Sequence, residues 1–475
     1  MVFSSLYFLF LYLPIVLLIY YIAPLRLRNA VLLVFNLIFY GWGEPKYILI
    51  MFASIAIDYT HGMLVTRCKE RGNDKGARLA VASSVVFNLA LLFFFKYWDF
   101  IARSLAAVGL GFLPVLNIRL PIGISFYTFQ AVSYLIDVYW KDCEAASNFI
   151  NFACYISLFP QLIAGPIVRY KDVNDQLISR TETLAGFNTG VRLFMVGMAK
   201  KVLLANQFGV LWDAVSANPT EAGALAAWCG AVAYSLQLYF DFSGYSDMAR
   251  GLGKMLGFDF CINFNYPYIS KSVTEFWRRW HISLSTWFRD YVYIPLGGNR
   301  CTVPRQILNL FVVWFLTGLW HGASWNYVLW GLYYGLLLGL GRFVVGDRLS
   351  RLPEVVKWLG VLVLVLFGTM IFKFTDLTML GIAVKGLFGG NGNGLTGMEV
   401  SLTFRNNLFF LLFAAVASTP LGKHLRNILG NLSRRNTACF WVNAVWEAVH
   451  PAALLILSVM ALAGDSYNPF LYFQF

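Results

Sequence analysis

Long apolar runs separated by short charged loops occupy almost the whole chain. The longest, Gln306 to Gly341, passes through Trp314, Trp320, His321, Asn326 and Trp330 without one Asp, Glu, Lys or Arg. As one helix it is roughly 54 Å long, against a hydrocarbon core of ~30 Å. The run therefore tilts strongly, breaks or turns back on itself, and Gly322 beside His321 is the natural break. Further apolar runs lie at Ser5–Ala23, Ala30–Trp42, Tyr47–Val65, Leu79–Phe95, Ile101–Val115, Leu120–Ile136, Phe149–Val168, Val191–Val210, Ala222–Phe240, Trp358–Phe372, Leu408–Ala417 and Ala448–Ala463. Together they predict an all-α polytopic membrane protein of about 11 to 13 membrane-embedded helices, with 1–475 as a single integral membrane domain. Phe159-Pro160 and Gly165-Pro166 interrupt one run. A bilayer tolerates such breaks where protein or a water-filled cavity satisfies the freed backbone, so a central funnel or tunnel is expected.

Ser5–Ala23 lacks a basic leader and a small-residue cleavage site, and Arg26 and Arg28 follow it, so it reads as a retained first span. Those arginines place its end in the cytoplasm and the N-terminus outside. Arg67, Lys69, Arg71, Lys75 and Arg78 form the next basic loop, also cytoplasmic, with one outward and one returning crossing between the two.

The pattern changes over 241–305, where no window of transmembrane length survives and charges alternate with aromatics. This polar region is expected at the cytoplasmic membrane surface or partly within the protein. Ser272 and Glu275 stand at capping-box spacing and predict a helix start. From there Phe276, Trp280, Leu284, Trp287 and Tyr291 share one apolar face, with Glu275, Arg278, His281, Ser285 and Arg289 on another. Such a helix is either an interfacial brace or the wall of a site, with Arg278 and Arg289 holding an anionic cofactor such as a coenzyme A phosphate. Asp241 and Asp247 with Gln237 and Tyr239 are able to position a polar substrate, but capping and pairing with Arg250 or Arg279 is the favoured reading. Gly389–Gly394 reads as a flexible loop.

Composition agrees with a membrane protein: 59% of residues are hydrophobic and only 13% charged. The formal net charge of +13 fits Lys and Arg beside anionic lipid and implies no nucleic-acid partner. Seven scattered cysteines, with no CxxC, predict neither a disulfide framework nor a metal site. Phosphate-binding glycine loops and a nucleophile elbow are absent. Of the histidines, His61, His424 and His450 have nothing chemical beside them, which leaves His281 and His321. A lone His in an apolar run is often a core residue bonded to a carbonyl. Trp320, Ser324, Trp325 and Asn326 favour function at His321, as partners for the imidazole and an aromatic wall for substrate.

At these residues the chain resembles the membrane-bound O-acyltransferase (MBOAT) family. Trp320-His321-Gly322 followed by Asn326-Tyr327 and Trp330-Gly331 is similar to the family's active-site signature. Similar blocks run in order from Met1–Ser5 through Leu120–Tyr127, Leu162–Pro166, Gln237–Met248 and Phe276–His281 to Asn468–Phe475. The nearest branch acetylates alginate, cellulose and peptidoglycan; transferases of D-alanine to teichoic acid are more distant.

The resemblance implies a helical fold with funnels meeting near a catalytic His321, and a second histidine at His281. It implies an O-acetyltransferase of the bacterial inner membrane that takes an acetyl group from a cytoplasmic donor, acetyl-CoA. The group passes to a polysaccharide hydroxyl or to an extracytoplasmic SGNH-hydrolase-like partner. His321 would act as general base, with oxyanion donors among Asn326, Trp320 and His281. No metal and no covalent acyl-enzyme are implied. D-alanyl or other acyl transfer, a polysaccharide export or transport component, and a non-catalytic scaffold are the rival readings.

Overall fold

The computed structural model describes residues 1–395 and 398–464, and every regular element among them is helical. The block Asn468–Phe475 lies outside the described residues. The chain packs as two compact units, Met1–Phe194 with Ser246–Ile262, and Met195–Tyr245 with Asn263–Phe475.

The first unit contains α1 (Leu13–Ile22), α2 (Arg28–Gly43), α3 (Ile48–Glu70), α4 (Asp74–Leu92), α5 (Trp98–Ala107), α6 (Ile124–Trp140), α7 (Phe149–Ser157), α8 (Phe159–Leu162), α9 (Tyr170–Ile178) and most of α10 (Leu184–Ala199). The separately expected runs Leu79–Phe95 and Ile101–Val115 merge, because a π-helical turn at Phe93–Tyr97 carries α4 into α5. The helix then stops at Ala107, where Gly109 takes φ +84°. Asp58 is buried within α3, where Ser84 donates to its carboxylate at 2.6 Å and Asn88 at 2.7 Å from α4. Neutral donors thereby satisfy a carboxyl inside an apolar hairpin. Among the basic residues, Arg28 is ion-paired with Glu182 at 2.6 Å, while Lys69 and Arg78 share Asp74.

The second unit holds α11 (Asn206–Val215), α12 (Ala224–Met255) up to Tyr245, α13 (Val273–Arg279), α14 (Ile282–Phe288), α15 (Val303–His321), α16 (Trp325–Leu340), α17 (Glu354–Lys373), α18 (Leu377–Leu387), α19 (Met398–Asn406), α20 (Leu408–Ala417), α21 (Leu421–Ser433) and α22 (Thr437–Gly464). The long central run breaks after His321, as its length required. α15 and α16 form a hairpin in which a Cβ on Gly318 would stand 2.2 Å from the Tyr327 carbonyl oxygen. On the facing helix, a Cβ on Gly331 would stand 2.3 Å from that of Trp314. Only glycine permits this approach. Gly389–Gly394 is not a free loop: Asn391 donates to Ala222 O at 2.6 Å, and Gly394 accepts from Ala224 N at 3.1 Å. It thus binds groups at the start of α12.

Two expectations about 241–305 are corrected. Asp241 lies inside the 32-residue helix α12 and caps nothing, whereas Asp247 pairs with Arg250 at 3.5 Å as expected. The helix expected from Ser272 through Tyr291 is two short ones, broken at Trp280-His281, with His281 at φ +44°. Its start is as expected, since Ser272 Oγ accepts from Glu275 N at 3.0 Å.

Among the described residues six helices are long and apolar enough to cross a membrane, or seven if the bent pair α20–α21 is one span. Phe8–Ile22 and Leu377–Leu387 are shorter apolar helices, and the run Ala222–Phe240 lies, from Ala224 on, in the 32-residue α12.

Candidate active site

The break after α13 turns His281 inward. Ile282 N donates to Asn263 O at 3.0 Å and Ser283 Oγ to Asn263 Oδ1 at 2.9 Å, which fixes the chain on the far side of the bend. Histidine tolerates the left-handed conformation better than most residues, but it still stores strain. The result is a side chain 1% exposed, although the helical wheel placed it among the polar residues. Its ring centroid lies 6.3 Å from that of His321 and 4.7 Å from Phe242, and among the described residues neither of its nitrogens has a hydrogen-bond partner. Burial, with a smaller push from His321, holds its pKa well below the ordinary 6.5.

This has a consequence for acid stability. The unfolded chain takes up a proton near 6.5 and the folded one resists it. Stability should therefore fall as pH drops below about 6.5, by at most ~1.4 kcal/mol per pH unit from this one group. Thermal melts in detergent between pH 7.5 and 5 would detect this, and His281→Gln should flatten the slope. An unaltered slope would refute the assignment.

His321 ends α15 and is 7% exposed. Its ring packs edge-on against Trp320 at 5.1 Å, Trp330 at 5.0 Å and Phe372 at 5.3 Å. It opens on a cavity of about 40 Å³ whose walls include Trp277, Trp280, Tyr334 and Thr369. Asp241 is the one charged residue in that wall, and Lys201 binds it at 2.7 Å with both side chains almost fully buried. The sequence reading missed Lys201; a lysine in the apolar run Val191–Val210 was the available signal.

The other predicted residues separate into two groups. Trp320 is buried against both histidines. Asn326 is fully buried, and its amide donates to Phe372 O at 3.0 Å and Ile371 O at 3.3 Å. That amide is engaged in tying α16 to α17, so Asn326 positions Phe372 against His321 and is poorly placed as an oxyanion donor. Ser324 precedes α16, and its carbonyl receives Tyr327 N at 3.2 Å. Tyr239 is buried against Tyr268 and Trp280.

Arg278 and Arg289 stand apart from the histidines, on a more open groove of about 300 Å³. Arg342, the first charge after the long run, joins them there. Its guanidinium is aimed by Asn299 Oδ1 at 2.8 Å and Gln306 Oε1 at 2.9 Å. Arg289 also pairs with Asp290 at 2.7 Å. Three arginines on one groove suit phosphate oxygens.

Comparison with known proteins shows which family the chain resembles along its length. The profile of MBOAT, the membrane-bound O-acyltransferase family, matches residues 144–384. The chain is 42% identical to the probable alginate O-acetylase AlgI of Pseudomonas putida, over 100% of both chains. It is 30% identical to the peptidoglycan O-acetyltransferase of Helicobacter pylori, over 100% of this chain and 98% of that one. A teichoic acid D-alanyltransferase of Streptococcus thermophilus is 31% identical over 53% of this chain and 67% of its own.

Proposed function

The chain belongs to the membrane-bound O-acyltransferase family, and from that premise we propose an O-acetyltransferase of the bacterial plasma membrane that takes acetyl from cytoplasmic acetyl-CoA. The acyl group serves O-acetylation of an extracytoplasmic polysaccharide, for which the relatives' names support an alginate-like exopolysaccharide or peptidoglycan; cellulose is a third acceptor of the same class. The observation that carries the reading is His321 on an aromatic-walled cavity, with the His281 ring 6.3 Å from it and an arginine-rich groove in the same unit.

A hydroxyl is almost un-ionised at neutral pH and attacks a thioester slowly. His321 takes its proton as the carbon–oxygen bond forms, and the thioester carbon–sulfur bond then breaks. The proton passes to the departing thiolate, so ester and thiol leave and the imidazole is again neutral. His281, with two nitrogens that lack partners, is a donor for the developing oxyanion. Arg278, Arg289 and Arg342 take the donor's phosphates at the groove.

One feature favours acetyl over D-alanyl. An ammonium-bearing acyl group needs an anion, and the only carboxylate in the cavity wall among the described residues is neutralised by Lys201. For topology, Arg26, Arg67, Arg71 and Lys75 remain outside any ion pair among the described residues. They support cytoplasmic loops and an outward N-terminus. A chain so largely apolar has little surface for a hydrated polymer, which supports release to a membrane-anchored SGNH-hydrolase-like partner.

Proteoliposomes of the purified protein test this reading. The protein alone should turn over acetyl-CoA slowly and leave added polymer unmodified. Replacing Arg278 and Arg289 together should raise KM for acetyl-CoA on the order of tenfold, the equivalent of 1.4 kcal/mol. Absence of turnover would sink the donor assignment, and efficient polymer acetylation by the lone protein would sink the relay.

A further inference from the structure

We infer that Trp277 is the partition between the arginine groove and the His321 cavity, and that its indole sets the length of the acyl group admitted to the base. The inference rests on the donor reading above.

Among the residues lining the two spaces, Trp277 alone lines both. On the groove side stand Arg278, Arg342 and Thr317. One helical turn after Thr317 on α15, His321 lines the inner cavity, a rise of about 6 Å. A thioester whose phosphates lie on the arginines therefore reaches His321 by passing the indole.

The indole is built to be passed. It is only 7% exposed, yet its Nε1–H has no hydrogen-bond partner among the described residues. Buried Trp N–H groups usually have one. What holds the ring is edge-on packing, against Trp314 at 4.7 Å, Tyr334 at 4.8 Å and Trp330 at 5.4 Å. Turning it breaks no hydrogen bond, and its N–H meets whatever polar atom enters, which for this donor is the thioester carbonyl. Its helix α13 has seven residues and ends in the Trp280-His281 bend, so ring and base-side histidine are carried on one short segment.

The sizes on either side give the specificity. The groove is about 300 Å³ and the inner cavity about 40 Å³, walled by Trp277, Trp330, Tyr334 and Phe372. That inner space suits a short acyl group and excludes a longer one while the indole stands. Acyl length is then set by Trp277 and not by the arginines, which meet only the constant part of the donor.

The experiment compares acetyl-CoA with butyryl-CoA in proteoliposomes of wild type, Trp277→Ala and Trp277→Leu. For Trp277→Ala the ratio of butyryl to acetyl kcat/KM should rise on the order of tenfold or more, the scale of discrimination by pocket methylenes. Trp277→Leu keeps an apolar side chain and should shift the ratio in the same direction by less. It is the deciding variant if the alanine protein elutes aggregated. A merely structural tryptophan predicts parallel loss of both activities; an unchanged ratio in a monodisperse variant overturns the inference and leaves the donor reading intact. A wild-type protein inert toward acetyl-CoA would remove that reading, and this inference with it.

Discussion

His321→Ala should insert in the membrane like wild type and lose ~10²–10⁴ of acyl-transfer rate, the usual contribution of a general base. The substituted side chain ends α15 and faces the cavity, and the close approach at Gly318 and Gly331 is a backbone contact that the imidazole does not make. The loss should therefore appear in kcat with KM for the donor little changed, because the arginine groove is intact. Acetylation within a few-fold of wild type would remove His321 from the chemistry. A non-catalytic scaffold predicts that His321 is dispensable, which makes the measurement a test between classes of function.

The largest effect on folding is expected at Lys201. Its ammonium is 3% exposed and the Asp241 carboxylate 2% exposed. Lys201→Met takes the ammonium away from that buried carboxylate, and removal of one member of such a pair costs ~3–5 kcal/mol. The variant should accumulate poorly or melt far below wild type in detergent. Adding Asp241→Leu should restore most of the loss, since removing both charges is often neutral in a tightly packed site. A double variant as unstable as the single one would show that the pair is not what Lys201 contributes, and the coupling energy of the cycle measures it directly.

Much of this was legible in the sequence, and for identifiable reasons. Length against bilayer thickness demanded the break beside His321, and the structure ends α15 at that residue. The Ser272 cap was readable because capping is local in sequence. The continuation of that helix was not. Period alone carried it through Trp280 and His281, whereas Asn263, far away in sequence, captures Ile282 and Ser283 and bends the chain. Asp241 was misjudged for a similar reason. Its partner comes from a different helix, and pattern reading offers only the basic residues nearby. Asn326 illustrates a third limit: adjacency to a histidine in sequence does not say whether an amide faces substrate or a neighbouring carbonyl, and here it faces carbonyls. The arginine groove was half visible, since Arg278 and Arg289 share a segment while Arg342 joins them only through tertiary structure.

The glycine crossing of α15 and α16 also bears on how such a site changes over generations. Backbone touches backbone at Gly318 and Gly331, so the placement of His321 depends on main-chain contact and not on the fit of exchangeable side chains. The walls that meet the acyl group come largely from other elements, Trp277 from α13 and Val365, Thr369 and Phe372 from α17. Substitutions there can accumulate one at a time without displacing the imidazole. If His321 is the base, it is thereby insulated from drift in the lining around it, and a lineage with this architecture can retune the group it transfers with that imidazole unchanged.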